Sequence, residues 1–479
     1  MVPAGPATTG WAVAAPCSGG LPHRSPSGAH DYSGPVQWES VGLYIVGVLV
    51  VVVGIALSIA LHELGHFVPA KRFGVRVGQF MVGFGPTVFS RKKGETEYGI
   101  KAIPLGGYIS MAGMFPPVAP GGTARTASTG FFQTLVQDAR TASADTVVDG
   151  EEHRTFYRLP VWKRVIIMLG GPAMNGVIAI VLYAIVLCGF GLPQQSTTLG
   201  SVSECVLPAT SRQTECSPTD VAAPGAEAGL APGDTLVSID GTAISSWNQA
   251  TAIIRDSAGS TLSLVVDRDG RELSIDATPR LTERYLFDEA GTPVKDANGI
   301  QRTQDVGFLG IGPAYETVQQ PITAVLPTVG DNIVRVGQLI LNLPQRMIDV
   351  VNAAFGPAER DPNGPISVVG VGRVAGEIAS IDTIPIADRV ASILQIIASL
   401  NVALMVFNLV PLLPLDGGHI AGALWEGLRR RFAQIFKRRD PGPVDTARLI
   451  PLTLTVVVLL GAMSVLLIYA DIVKPISVL

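Results

Sequence analysis

Four stretches of this chain contain no charged residue and are rich in leucine, valine and isoleucine: residues 41–61, 165–192, 390–415 and 449–470. A helix of about 20 such residues spans the roughly 30 Å hydrocarbon core of a bilayer. Only 15% of the 479 residues are charged, against roughly 25% in an average soluble domain, which disfavours a fully soluble fold and nucleic-acid binding. The sequence therefore predicts an α-helical polytopic membrane protein with four transmembrane helices in the lipid bilayer.

Lysine and arginine are concentrated in two of the segments that join these stretches. They lie between the first and second stretches (Lys71, Arg72, Arg76, Arg91, Lys92, Lys93, Arg158, Lys163 and Arg164) and between the third and fourth (Arg429, Arg430, Arg431, Lys437, Arg438 and Arg439). Cytoplasmic loops of membrane proteins carry such an excess. We therefore expect both termini, and the segment from about 193 to 388, to be extracytoplasmic. Residues 1–36 are rich in Pro, Gly, Ser and Ala, which predicts a disordered tail.

Three ionisable residues stand where the first stretch ends. His62 and His66 are four positions apart and enclose Glu63. On a helix this spacing puts both imidazoles on one face, where they can share a tetrahedral metal ion, and leaves the glutamate free to act on a water molecule. Polar side chains that merely reach the membrane interface from a helix end are the alternative. Because ionisable groups at a membrane span are unfavourable unless paired or metal-bound, the pattern favours a metal site.

A catalytic zinc ion usually has three protein ligands and one open position, so a further ligand is needed. Asp416 follows the third uncharged stretch, just after Pro411 and Pro414. Prolines break a helix, and freed backbone groups are tolerated at membrane depth only where they face protein or a cavity. Asp416 is therefore the predicted third ligand. A helix cap for the Gly-Gly-His segment that follows it is the alternative.

Several separate motifs occur in one order along the chain: His62-Glu63-Leu64-Gly65-His66, Gly83-Phe84-Gly85-Pro86, Ile103-Pro104-Leu105-Gly106-Gly107-Tyr108, Gly171-Pro172-Ala173-Met174-Asn175 and Pro414-Leu415-Asp416-Gly417-Gly418-His419 preceded by Asn408. Together they resemble the site-2 protease family of intramembrane zinc metalloproteases. The resemblance is strongest to the bacterial subgroup that carries an extracytoplasmic PDZ domain, and it covers most of residues 40–475.

This resemblance implies a Zn²⁺ cofactor whose ligands are His62, His66 and Asp416. It implies that Glu63 is the general base, which takes a proton from the attacking water. Asn408 is implied to orient the substrate backbone or to stabilise the oxyanion; a buried amide that satisfies the broken backbone nearby is the alternative. The same resemblance implies a multi-pass protein of the bacterial plasma membrane.

Residues 79–111 alternate apolar with small or polar side chains on both sides of the turn Lys93-Gly94-Glu95. This pattern predicts two or three short antiparallel strands. The resemblance implies that the edge of this membrane-associated β-structure receives unwound substrate by strand pairing. A sheet that only stabilises the fold is the alternative. Residues 116–149 show little hydrophobic periodicity and predict a loop.

The run Pro224-Gly-Ala-Glu-Ala-Gly-Leu-Ala-Pro-Gly-Asp234 and the residues that follow it resemble the core of a bacterial PDZ domain. An α+β domain over 198–282 is predicted from strand patterns at 235–239, 261–267 and 272–277 and a helical pattern at 247–255. PDZ domains bind extended peptides by strand addition. We expect either a peptide ligand or, preferably, a size filter that excludes large ectodomains. Residues 320–385 predict helices against the outer membrane face.

Two of the four cysteines, Cys205 and Cys216, lie in the segment that is expected outside the cytoplasm. They enclose a short loop in an oxidising compartment, so a disulfide between them is expected. Free thiols or a redox-responsive pair are the alternatives.

The predicted function is an intramembrane zinc endopeptidase that cleaves single-span membrane proteins in regulated intramembrane proteolysis. The resemblance points to anti-sigma factors that another protease has already trimmed. A non-catalytic membrane scaffold or metal carrier is the alternative, but Glu63 beside the metal ligands favours catalysis. The predicted order is a tail at 1–36, a first span at 37–70, cytoplasmic β-structure and loop at 71–160, a second span at 161–193, the PDZ domain at 198–282, a connector with interfacial helices at 283–388, a third span at 389–425, a basic loop at 426–447 and a fourth span at 448–474.

Overall fold

A computed structural model describes residues 38–116, 131–148, 150–207, 211, 213, 216–286, 294, 296, 301–356, 360–361 and 364–476. The disordered tail predicted at 1–36 lies outside these residues. The described chain divides into two compact units. The helical unit comprises Pro35–Phe190 and Gln320–Leu479, and the sheet unit between them comprises Gly191–Gln319.

The described helices are α1 (Trp38–Arg72), α2 (Phe131–Ala144), α3 (Val161–Ala184), α4 (Pro224–Glu227), α5 (Trp247–Asp256), α6 (Val325–Leu341), α7 (Leu343–Phe355), α8 (Val368–Ser380), α9 (Ile386–Asn408), α10 (Asp416–Ile435) and α11 (Ile450–Val473). The strands are β1 (Val77–Lys93), β2 (Thr96–Met111), β3 (Leu192–Val202), β4 (Thr235–Ile239), β5 (Thr242–Ala243), β6 (Leu262–Arg268), β7 (Arg271–Ala277), β8 (Arg280–Tyr285), β9 (Thr303–Phe308) and β10 (Ile311–Val318).

Four of the described helical segments are long and apolar enough to cross a membrane: Glu39–Arg72, Val161–Phe190, Ile386–Asn408 and Thr446–Val473. The first and third belong to α1 and α9. The second is α3 with the π-helical turn that extends it, and the fourth is α11 with the short 3₁₀ turn that precedes it. The prediction of four apolar helices is confirmed.

The third of these helices is shorter than the uncharged stretch suggests. Helix α9 ends at Asn408, and the chain is non-helical until α10 begins at Asp416. Two prolines cause the interruption, because proline has no N–H to donate and disfavours a helical conformation in the residue before it. The predicted third span at 389–425 is therefore two helices separated by an irregular segment.

The connector between the sheet unit and α9 contributes to the core of the helical unit. Helix α8 packs against α1 and α9 around a buried apolar cluster formed by Val51, Val371, Ala375, Ala379, Ile393 and Ile397. The backbones approach closely at Gly47, where a methyl group would lie 2.5 Å from the carbonyl oxygen of Ala375. Helices α6, α7 and α8 all lie in the region 320–385 where helices are predicted.

Strands β1 and β2 form an antiparallel hairpin, which confirms the β-structure predicted around residues 79–111. Lys93 pairs with Thr96, and Gly94 in the intervening turn has a φ of +65°, a conformation that glycine adopts without a steric penalty.

The loop predicted at 116–149 is wrong for its second half, because 131–144 form α2. Phe132, Leu135, Val136 and Ala139 recur at helical spacing within this helix, and tertiary contacts hold it in place. Ser143 accepts a hydrogen bond from the backbone N–H of Phe115 at 3.0 Å, and Arg140 forms an ion pair with Asp445.

The sheet unit is built on a mixed-length antiparallel sheet in the order β10-β3-β4-β6-β7, with β5 paired to β4. Helix α5 packs on it through Trp247 and Ile254, and Ser246 caps the helix by accepting from the N–H of Gln249. This unit continues to residue 319, past the domain boundary predicted at 282, because β10 pairs with β3. Cys205 and Cys216 are joined by a disulfide.

A buried carboxylate links strand β6 to the turn that precedes β4 in the sheet unit. The side chain of Asp234 is 1% exposed and accepts hydrogen bonds from Arg268 at 2.6 and 2.8 Å and from the N–H of Ala231 at 2.9 Å. The hydrogen bond from the Arg268 guanidinium lowers the pKa of Asp234 below its ordinary value. A carboxylate with a lowered pKa stabilises the fold when it is ionised.

We predict that the sheet unit loses stability in acid through this group. The stabilisation is complete above the ordinary pKa of aspartate and disappears as the pH falls through the lowered pKa in the folded state. Hydrogen exchange of the β4 and β6 amides in the full chain measures it. Asp234→Asn should speed this exchange at neutral pH and flatten its acid dependence, whereas Asp276→Asn, on the exposed face of β7, should change neither. Equal acid dependence in wild type and Asp234→Asn would contradict the prediction.

Candidate metal centre

The two histidines and the aspartate predicted as ligands converge in the helical unit. His62 and His66 stand one turn apart on α1, and Asp416 is the first residue of α10. The Nε2 atoms of the histidines are 3.2 Å apart, and they lie 3.4 and 3.3 Å from Oδ2 of Asp416. Their side chains are only 12%, 6% and 17% exposed. The three candidate ligands, which come from positions far apart in the sequence, thus form one compact triangle.

The triangle has the dimensions that a tetrahedral zinc ion requires. Zinc binds histidine nitrogen and carboxylate oxygen at about 2.0–2.2 Å, which corresponds to ligand–ligand distances of roughly 3.3 Å in a tetrahedron. Oδ2 of Asp416 is buried and has no hydrogen-bond partner among the described residues. A buried carboxylate oxygen without a partner is unfavourable, so the donor set fits a metal ion.

Contacts behind the rings orient both imidazoles. The Nδ1–H of His66 donates to the carbonyl oxygen of Ile167 at 2.7 Å, which directs the lone pair of its Nε2 toward the triangle. The amide nitrogen of Asn175 lies 3.1 Å from Nδ1 of His62, and the amide oxygen of Asn175 has no partner among the described residues. Rotating this amide by half a turn would let His62 donate to that oxygen, as a histidine that binds metal through Nε2 requires.

Glycines allow the helices of the site to approach at backbone distance. A methyl group at Gly65 of α1 would lie 2.2 Å from the carbonyl oxygen of Gly170, and one at Gly171 of α3 would lie 2.2 Å from Nε2 of His66. The start of α10 is equally tight, because a methyl at Gly417 would lie 2.4 Å from the carbonyl oxygen of Leu409. No larger residue fits at these three positions without a shift of the backbone or of the ligands.

Glu63 faces strand β2. It is 9% exposed, and a methyl group at Gly107 would lie 2.9 Å from its Cγ atom. The hairpin therefore passes directly beside the residue between the two histidines. Asp416 does not cap α10 with its side chain, and its carboxylate is directed at the histidines instead.

Asn408 is not part of the triangle. It is the last residue of α9 and is half-buried, eight positions before Asp416 in the sequence. His419 packs near the ring of Phe115, with ring centroids 6.5 Å apart. Asn175 and Gly107 lie within two of the sequence motifs, but sequence reasoning assigned neither a contact with the site. Asn175 is a polar side chain in an otherwise uncharged apolar span, and this was the sequence signal that could have indicated its contact with the site.

Gly171→Ala tests whether this close approach maintains the metal centre. The added methyl would overlap the imidazoles of His62 and His66, so we expect most of the bound zinc to be lost. Zinc per mole of purified protein, measured by mass spectrometry, is the readout. Gly189→Ala is the matched control, since it lies in the same span and a methyl there meets nothing within 4 Å. Full zinc content in Gly171→Ala would show that the glycine contact is dispensable.

Comparison with known proteins identifies the class of enzyme. The sequence profile of peptidase family M50 matches residues 50–439. The zinc metalloprotease Rip1 of Mycobacterium tuberculosis is 35% identical over 438 residues, which cover 91% of this chain and 99% of Rip1. Rip1 of Mycolicibacterium smegmatis is 33% identical, and the match again covers 91% of this chain and 99% of that protein. The metalloprotease MmpA of Caulobacter vibrioides is 28% identical over 81% of this chain and 89% of MmpA. The chain therefore belongs to peptidase family M50, the site-2 protease family of zinc metalloproteases.

Proposed function

We propose that this zinc metalloprotease hydrolyses peptide bonds of single-span membrane proteins at the triangle of His62, His66 and Asp416. The convergence of these three side chains, within 3.4 Å of one another, is the observation that carries the proposal. Bound Zn²⁺ supplies Lewis-acid polarisation of a peptide carbonyl and lowers the pKa of a water molecule. The three residues would hold the ion, and all three side chains are largely buried.

Glu63 is proposed as the general base. It lies between the two histidine ligands on α1 and is largely buried. It accepts one proton from the attacking water while the new C–O bond forms, and it delivers that proton to the amine nitrogen as the C–N bond breaks. Asn408 is proposed to bind the substrate backbone near the scissile bond, since it ends the helix that leads into the Asp416 segment.

The β1–β2 hairpin is proposed to receive the substrate as an extended strand. A peptide bond within a helix has its carbonyl oxygen hydrogen-bonded and shielded by neighbouring side chains, so the substrate must unwind before it is attacked. Pairing with the edge of a hairpin replaces the lost backbone hydrogen bonds. Support comes from Gly107, which brings the backbone of β2 against Glu63.

Glu63→Gln is the variant that tests the mechanism. Reconstituted enzyme and a single-span test substrate are incubated, and the cleavage rate and zinc content are measured together. We expect the rate to fall by about 10²–10⁴-fold, the usual contribution of a general base, with zinc content unchanged. Glu272→Gln, on an exposed position of β7, should cleave like wild type. Equal cleavage by wild type and Glu63→Gln would reject Glu63 as the general base, whereas no cleavage by either protein would favour a metal-binding scaffold.

The sheet unit is proposed to be a PDZ domain that acts as an extracytoplasmic size filter. Support comes from the Pro224–Glu227 helix, which leads through the Gly-Leu and Gly-Asp turns into β4, and from α5 packed on the sheet. Natural substrates are proposed to be anti-sigma factors whose ectodomains another protease has already removed. Both termini and this domain are proposed to lie on the extracytoplasmic side, because the basic residues are concentrated in the two loops that would face the cytoplasm.

Replacing Gly191–Gln319 by an inert flexible linker tests the filter. We expect the enzyme that carries the linker to cleave both intact and trimmed forms of an anti-sigma factor, whereas the native enzyme cleaves only the trimmed form. The measurement is the ratio of cleavage rates for the two forms. Cleavage of the trimmed form alone by both enzymes would show that this unit does not exclude intact substrates.

A further inference from the structure

Helix α10 has two opposite faces with different surroundings. One face packs on α3, where Glu426 pairs with Arg164 at 2.6 Å and Gly427 approaches Val161. The other face presents large apolar side chains that are between 46% and 72% exposed: Leu424, Trp425, Leu428, Phe432, Ile435 and Phe436. Spacings of three and four residues place them on one side of the helix. A contiguous exposed apolar surface of this kind marks a site of contact with a membrane or a protein.

Basic side chains border this apolar stripe. Arg431 lies within it in the sequence, and Lys437, Arg438 and Arg439 follow its end; all four are exposed. Among the residues that the structure describes, none of the four has an acidic partner. Arg430, by contrast, is held by Glu426 at 3.1 Å on the packed face. The positive charge beside the stripe is therefore available to an anionic ligand.

The depth of the stripe follows from the ion pair on the opposite face. Arg164 lies in the first turn of the span Val161–Phe190, so Glu426 is level with the point where that span begins. The stripe begins two residues earlier and extends beyond it. Apolar residues bordered by arginine and lysine at this level have the composition of a helix at the boundary between acyl chains and headgroups, and Trp425 belongs to a residue type that is enriched there.

We propose that the stripe and these four basic residues form a docking surface for anionic phospholipids of the adjacent leaflet. The apolar side chains contact acyl chains, and Arg431, Arg438 and Arg439 donate hydrogen bonds to headgroup phosphates. Because α10 begins at Asp416, the lipid anchors the helix that presents the third metal ligand. The proposal does not depend on peptidase activity.

Quenching of Trp425 fluorescence by brominated lipids tests the proposal in the full-length protein. Nanodiscs contain equal mole fractions of either brominated phosphatidylglycerol or brominated phosphatidylcholine, and the Trp425→Phe spectrum is subtracted to isolate this residue. We expect phosphatidylglycerol to quench about twofold more strongly or better, since each basic residue near an anionic surface favours binding. The combined variant Arg431→Glu, Lys437→Glu, Arg438→Glu and Arg439→Glu should remove the difference.

Arginine-to-lysine changes at 431, 438 and 439 form the matched control, which retains the charge and should retain most of the preference. Monodisperse elution of the purified protein shows whether each variant keeps its fold; if the fourfold variant aggregates, Arg438→Glu with Arg439→Glu, outside the helix, carries the test. Equal quenching by both lipids in wild type, or a preference unchanged by charge reversal, would overturn the proposal. So would quenching by aqueous acrylamide and by neither lipid, since the face would then be open to a soluble partner.

Discussion

The metal centre depends on the contact between the backbones of α1 and α3. Gly65 and Gly170 meet with no side chain between them, and Gly171 leaves the space that the two imidazoles occupy. Helices in a membrane gain little from apolar side chains, because lipid is equally apolar, and small residues allow close approach instead. The same glycines therefore hold two spans together and set the distance at which Ile167 and Asn175 of α3 reach the rings of His66 and His62.

Two buried ion pairs connect the two ends of α11 to the rest of the helical unit. Arg164 and Glu426 are 7% and 1% exposed, and the N–H of Val444 donates to the same carboxylate, so the chain that leads to α11 is tied to α3 and α10. At the other end of α11, Asp471 pairs with Arg360 and accepts from the N–H of Ser367 at 2.7 Å. Removing one partner of a buried ion pair is strongly destabilising, because the other charge is then left buried without compensation. These pairs fix how α10 and α8 join the apolar spans.

The sequence was sufficient to predict the apolar helices, the hairpin and the family, because each depends on a local pattern or motif. Zinc and the metalloprotease class are confirmed. The sequence was not sufficient to predict features that depend on contacts between residues far apart in the chain. Helix α2 is held by distant partners such as Asp445, and the sheet unit extends to β10 because that strand pairs with β3. The carbonyl of Ile167 that orients His66 has no side-chain signature at all.

The strand beside Glu63 has a further consequence. Gly107 offers only main chain at the point where β2 meets the glutamate, so this position has no side chain with which to distinguish one amino acid from another. Under the proposed mechanism, a polypeptide at this point is accepted according to how readily it adopts an extended conformation, and not according to the side chain that it places beside Gly107. Discrimination between targets under that mechanism arises from the ease of unwinding them and from contacts made elsewhere in the protein.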